Sequence, residues 1–101
     1  MTYRTAIVGV LPFANLSESA DEYFSDGLTE DLIHALSLQS FYRVLSRNST
    51  FPFKGKNVST RLIAREIDAT YLIQGSVRRA ANKIRVTAEL IAPETGEPLT
   101  I

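Results

Sequence analysis

The amino-acid sequence predicts a single α/β domain, a mixed sheet in the order β-α-β-α-β-β with part of a further strand, carrying two helices. Three observations predict it. Residues 5–11 (TAIVGVL) form an apolar run too short for a buried helix and β-branched at Ile7, Val8 and Val10, as in a parallel strand covered on both faces. Phe24, Leu28, Leu32, Ala35 and Leu36 recur at helical spacing over residues 21–37. Ile84, Val86, Ala88 and Leu90 alternate with Arg85, Thr87 and Glu89, which marks an antiparallel strand with one wet face.

The elements follow in order. Gly9, inside the first strand, predicts a helix packed closely against it. Residues 12–20 read as a polar connection, and Ser19 or Asp21 caps the first helix, whose early acids suit the positive end of the helix dipole. Gly27 weakens that helix, so it is expected either to serve close packing or to lie before a start capped by Thr29. Residues 41–46 (FYRVLS) make a second strand, and residues 47–57 an ordered loop in which Phe51 and Phe53 need cover. Ser59 caps a second helix over residues 60–67, with Val58 and Ile63 as a hydrophobic staple. Residues 69–79 return as a long strand, residues 80–82 turn, and residues 83–92 run back. Residues 93–96 turn again, and residues 99–101 begin a strand that the chain does not finish. The expectation is one domain over residues 1–101, a fragment of a longer chain truncated within its last strand. Two right-handed crossovers put the first strand in the middle of the parallel part.

The bulk properties narrow the function. With 101 residues, 45% of them hydrophobic and 22% charged, the chain is an ordinary globular domain. It has no cysteine, which excludes disulfides, thiolate catalysis and Cys-ligated zinc. No apolar run is long enough to span a bilayer, and the first residues lack a signal-peptide layout. The expected location is the cytoplasm, or the periplasm if the parent carries a membrane helix, with no direct membrane contact. The net charge is zero but unevenly spread. Glu18, Asp21, Glu22, Asp26, Glu30 and Asp31 form a stretch without bases, whereas residues 43–85 hold Arg43, Arg47, Lys54, Lys56, Arg61, Arg65, Arg78, Arg79, Lys83 and Arg85 against Glu66 and Asp68.

Chemical motifs are mostly missing. There is no phosphate-binding glycine loop and no nucleophile elbow. His34, the only histidine, falls mid-helix as a structural residue. Asp26, Glu30 and Asp31 read as a solvated face rather than a cation site. No catalytic, cofactor-binding or metal-ligating residue is assigned. One constellation remains, at the carboxyl edge of the sheet, where open α/β sheets bind ligands. It collects Asn15 and Ser17, then Arg47, Asn48, Ser49, Lys54 and Lys56, then Arg78 and Arg79. These are donors for an acidic peptide, a phosphate or a nucleic-acid backbone, and Phe51 and Phe53 are placed either to stack bases or to cap the core.

Four stretches then stand out together: GVLPFANLS, EYFSDGLTEDLIHALS, YRVLSRNSTFPFKGK and AREIDATYLIQGSVRRAANKIRVTAELIAPETGEPL. In order and spacing they resemble the TolB-like N-terminal domain of bacterial multidomain signalling proteins, which commonly adjoins class III adenylate/guanylate cyclase domains, winged-helix regulators or tetratricopeptide repeats. The most specific pieces are Leu11–Phe13, Asp26–Leu32 and Gly75–Arg79, and the resemblance spans residues 5–100. The family continues past the TGxxL turn into a strand with a W-x-x-R-Y-D type motif, before which this chain stops. The resemblance implies a fold related to the N-terminal domain of TolB and to the anticodon-binding-like fold. It also implies a non-catalytic module for protein interaction or assembly, and it carries over no catalytic residue.

The expectation is a protein-interaction or regulatory module of a bacterial, cyclase-associated signalling protein. It binds a protein partner or dimerises through Asn15, Arg47, Asn48, Lys54, Lys56, Arg78 and Arg79 or along a sheet edge. One alternative is a nucleic-acid or nucleotide-binding domain, disfavoured by the zero net charge. The other is part of an adenylate cyclase contributing indirectly to cAMP synthesis. No cofactor is expected.

Overall fold

Hydrophobic patterning builds a mixed sheet with helices on both faces. In the computed structural model, residues 5–94 and 97–99 are described. The strands are β1 (Ala6–Val10), β2 (Ala14–Asn15), β3 (Tyr42–Val44), β4 (Tyr71–Ala80), β5 (Lys83–Ala92) and β6 (Glu97–Leu99). The helices are α1 (Glu22–Ser37), α2 (Arg47–Thr50) and α3 (Thr60–Ile67). The strand order is β3-β1-β4-β5-β6, with β2 beside β4. β1 lies parallel between β3 and β4, as its apolar character predicts, and β4–β5 and β5–β6 are antiparallel. A final strand is present but begins at Glu97, two residues before the expected start, and residues 100 and 101 of the expected strand and residues 95 and 96 of the turn lie outside the described residues.

Residues 12–20 are more than a polar connection. Val10 pairs with Ile73 and Ala14 with Ser76, so this side holds one residue more than β4 between the two pairs. That bulge, at a proline with no N–H to give, sends Leu11 and Phe13 to opposite faces. Leu11 joins Ile63, Ala64 and Leu72 under α3, with Phe53, Val58 and Ile67 around them. Phe13 joins Val10 and Val77 beneath Leu28, Leu32, Ile33 and Leu36 of α1.

Leu28, Leu32 and Leu36 of the expected α1 stripe do pack on the core. The bulge explains why the buried face of α1 is turned from Phe24 and Ala35 toward Ser25 and Thr29. Its buried residues are Ser25 and Thr29, with Leu28, Leu32, Ile33 and Leu36 half-buried beside them, while Phe24 and Ala35 are exposed. Phe13, freed from the strand ladder, donates its backbone N–H to Thr29 Oγ1, and a buried donor needs such a partner. The helix runs through Gly27, where an added Cβ would meet nothing within 4 Å, so neither reading of Gly27 holds. Neither Ser19 nor Asp21 caps α1 with its side chain; they bound the short 3₁₀ turn Ser19–Asp21 instead.

Residues 47–57 are not a loop throughout. They wind into α2 and a 3₁₀ turn, Phe51–Phe53, making three helices rather than two. The winding carries Phe53 onto the α3-side core. α3 follows expectation: Ser59 Oγ accepts from the Leu62 N–H at 3.2 Å, and Val58 and Ile63 share one cluster. Gly9 also meets its expectation, since a Cβ there would come within 3.1 Å of both Ile67 Cδ1 and Leu72 Cδ2.

The wet-face expectation for β5 fails along most of the strand. Lys83 to Glu89 are exposed whichever face they point to, and Ile84 and Val86 are 49% and 47% exposed. The α1-side cluster includes Ile73 and Val77 of β4 and nothing from β5, so the outer β4–β5 ribbon extends beyond the core.

Candidate interaction surface

The expected carboxyl edge is drawn together, but much of it is turned inward onto α1. Glu22, Asp26 and Glu30, spaced i, i+4 and i+8, form one stripe of that helix. Lys54 Nζ lies 2.7 Å from both carboxylate oxygens of Asp26 and 2.8 Å from Glu22. The Asp26 and Glu22 carboxylates raise the Lys54 ammonium above its usual pKa, and the hydrogen bond from Lys54 holds Glu22 below its own. Asn15 reaches the same seam, donating to Glu18 O at 2.7 Å and Glu22 Oε1 at 3.4 Å while accepting from the Ser17 N–H. Arg47 lies 3.5 Å from Glu30 and stacks 4.0 Å above the Phe51 ring. Arg79 contacts Asp21 at 3.3 Å, and its backbone N–H donates to Ser17 Oγ.

The acidic and basic stretches therefore face one another, and Asp26 and Glu30 are ion-paired rather than merely solvated. Phe53 lies in the core and Phe51 beneath Arg47, so the base-stacking placement does not form. Of the seven residues expected to bind a partner, Asn48, Lys56 and Arg78 have side chains that make no ion pair or hydrogen bond among the described residues. Lys56 lines a groove of about 540 Å³ between residues 53–58 and the sheet, floored by the Gln74–Glu89 and Ser76–Thr87 hydrogen bonds.

Beyond that floor the ladder changes character. On the same face the next rung sets Arg78 directly opposite Arg85, followed by Ala80 opposite Lys83. Like charges directly opposed across a sheet repel. All three cations are exposed and, among the described residues, none meets a carboxylate. On the other face of the ribbon stand Ile84 and Val86. The expected site residues that composition and edge position supply omit Lys83, Arg85, Ile84 and Val86. The signal that finds the first two is the two-residue turn at Ala81 and Asn82, because it fixes the register that sets Arg85 against Arg78.

Among the described residues, no three His, Asp or Glu side chains converge as a metal site. The ring of His34, exposed on α1, makes no hydrogen bond among them. No helix is long and apolar enough to cross a membrane among them.

No protein-family model matches the chain. A protein of Rhizobium meliloti (strain 1021), named "Putative adenylate cyclase 3", is 48% identical over 90 residues, covering 88% of this chain and 15% of that protein. The chain thus spans about 15% of the length of the curated relative it matches. The solved LpoB C-terminal domain from Salmonella enterica superposes with a TM-score of 0.70 at 21% identity, covering 94% of this chain and 78% of that one. Lipoprotein GNA1162 from Neisseria meningitidis gives 0.74 at 15% identity, covering 94% and 77%. TolB from Acinetobacter baumannii gives 0.49 at 12% identity, covering 95% and 22%. The chain therefore shares its fold with the LpoB C-terminal domain and GNA1162, and its sequence with one stretch of a much longer protein.

Proposed function

We propose that this domain is a non-catalytic protein-interaction module that serves a longer bacterial signalling polypeptide in a regulatory or assembly role. The observation that carries this reading is the outer β4–β5 ribbon, which holds Ile84 and Val86 about half exposed on one face and, on the other, cations that are unpaired among the described residues. Apolar side chains grouped on a projecting ribbon are characteristic of contact surfaces. The cyclase name of the relative supports a signalling context, and cyclase chemistry then belongs to other parts of such a polypeptide, since no carboxylate set converges among the described residues. The nucleic-acid alternative draws less support, because Arg47, Lys54 and Arg79 are each engaged by acids of the same chain.

A photo-crosslinking amino acid at position 86, in the full parent polypeptide in its native host, tests this reading. Discrete protein adducts are expected there, and none from position 41, where Phe41 is still more exposed at the opposite edge of the sheet beside β3. Absence of adducts at positions 84 and 86 would overturn the reading. So would cyclic nucleotide formed by the isolated domain from ATP or GTP with a divalent metal.

A further inference from the structure

The β4–β5 ladder is closed where it lies over the body and open where it projects. Gln74 donates to Glu89 at 2.7 Å, and Ser76 and Thr87 share a hydrogen bond of 2.6 Å. The next two rungs on the same face bring Arg78, Arg85 and Lys83 together with no acid in reach among the described residues. Other bases of this domain did find acids: Lys54 has two carboxylates, and Arg47 and Arg79 have one each. A directly opposed arginine pair costs the free domain some stability. A carboxylate fork set between two guanidiniums would turn that repulsion into attraction, because each guanidinium binds a carboxylate through paired N–H groups.

We propose that the outer β4–β5 ribbon binds an acidic segment of a separate partner protein, with Arg78, Arg85 and Lys83 taking its carboxylates and Ile84 and Val86 bounding the contact. This deepens the interaction reading above and rests on it. A depression lined by Arg78, Ala80, Lys83, Ile84, Arg85 and Val86 provides the place, reaching from the cationic face to the apolar one. The occupant thus combines carboxylates with apolar residues. A protein segment fits this better than a phosphate backbone. Three cations confined to two rungs offer only a short track along a polynucleotide, and Arg47 and Lys54 are held by α1 rather than free to extend it.

The test is an amide-shift titration of the isotopically labelled chain with a soluble synthetic peptide alternating glutamate and valine. Its glutamine counterpart and oligothymidylate serve as parallel probes. Shifts are expected over residues 76–87 with the glutamate peptide only, and they should weaken with added salt. Arg85→Glu should weaken binding by about tenfold, the equivalent of about two exposed ion pairs lost. That variant places Glu opposite Arg78, so its thermal midpoint is expected to hold or rise, and lost binding is then not lost folding. The proposal is overturned by an unresponsive ribbon, by equal response to the glutamine peptide, by equal or tighter oligothymidylate binding, or by self-association that Arg85→Glu abolishes. Crosslinks at position 86 that are indifferent to Arg85→Glu would sink this inference alone, whereas their complete absence would remove the interaction reading beneath it.

Discussion

The backbone N–H of Phe13 donates to Thr29 Oγ1 at 3.0 Å, and the same hydroxyl donates to Ser25 O at 2.9 Å, joining the strand bulge to the middle of α1. Phe13 and Thr29 are both buried, so water cannot replace the bond. Thr29→Val keeps the shape and removes the acceptor. It is expected to cost about 1–3 kcal/mol, the penalty for stranding a buried donor, read by urea denaturation at unchanged m-value. Thr29→Ser, which keeps the oxygen, should lose less.

Gly75 and Gly27 should respond to alanine with opposite signs. A Cβ at Gly75 would sit 2.1 Å from Thr87 O and 2.5 Å from Phe13 Cε2, so the strand pair and the core ring must both shift. Gly75→Ala is expected to destabilise by about 1–3 kcal/mol or more, as overpacking does. Gly27→Ala meets open space in a helix interior and should stabilise by roughly 0.5–1 kcal/mol. Paired thermal melts check both.

The Lys54 seam should shape the pH dependence of stability. Lys54 lowers the folded pKa of Glu22 below 4.5, so the contribution of Glu22 is complete above that value and disappears as pH falls through its folded pKa. Asp26 and Glu22 raise Lys54 above 10.5, so its contribution is complete below that value and disappears as pH rises through the folded one. Both side chains are partly open, at 33% for Lys54 and 44% for Glu22, so the effect is modest and screened by salt. Lys54→Met should flatten the loss of stability on acidification through pH 4.5, measured by denaturation at low ionic strength.

Ala81 holds a φ of 56° in the turn between β4 and β5, a region that costs an alanine about 1–2 kcal/mol. Ala81→Gly removes that cost and gives back part of it through the freer unfolded chain. A net gain of roughly 0.5–1 kcal/mol is expected. The Arg78–Arg85 register should be unchanged, as amide shifts along the ribbon would show.

Much of the fold was legible because local rules carried it. The β1 run, the Ser59 cap, the span of β5 and the tight fit at Gly9 each follow from short-range pattern or from one missing side chain. The α1 face was legible at Leu28, Leu32 and Leu36 but not at its buried centre, since Ser25 and Thr29 are buried beside a donor that only the bulge at Pro12 creates. Residues 47–53 read as loop because a four-residue helix leaves too short a pattern.

The candidate surface divides in the same way. By itself the sequence determined the α/β class, the opposed charge stretches and the bases at Arg78 and Arg79. Tertiary structure alone decided which charges meet: α1 lies against residues 47–54, so Glu30, Asp26 and Glu22 engage Arg47 and Lys54. It also decided that Ile84 and Val86 stay open, because alternation states which side chains share a face and not whether anything covers it. Ion pairing and burial depend on distances between segments far apart in the chain, and those distances exist only once the sheet has formed.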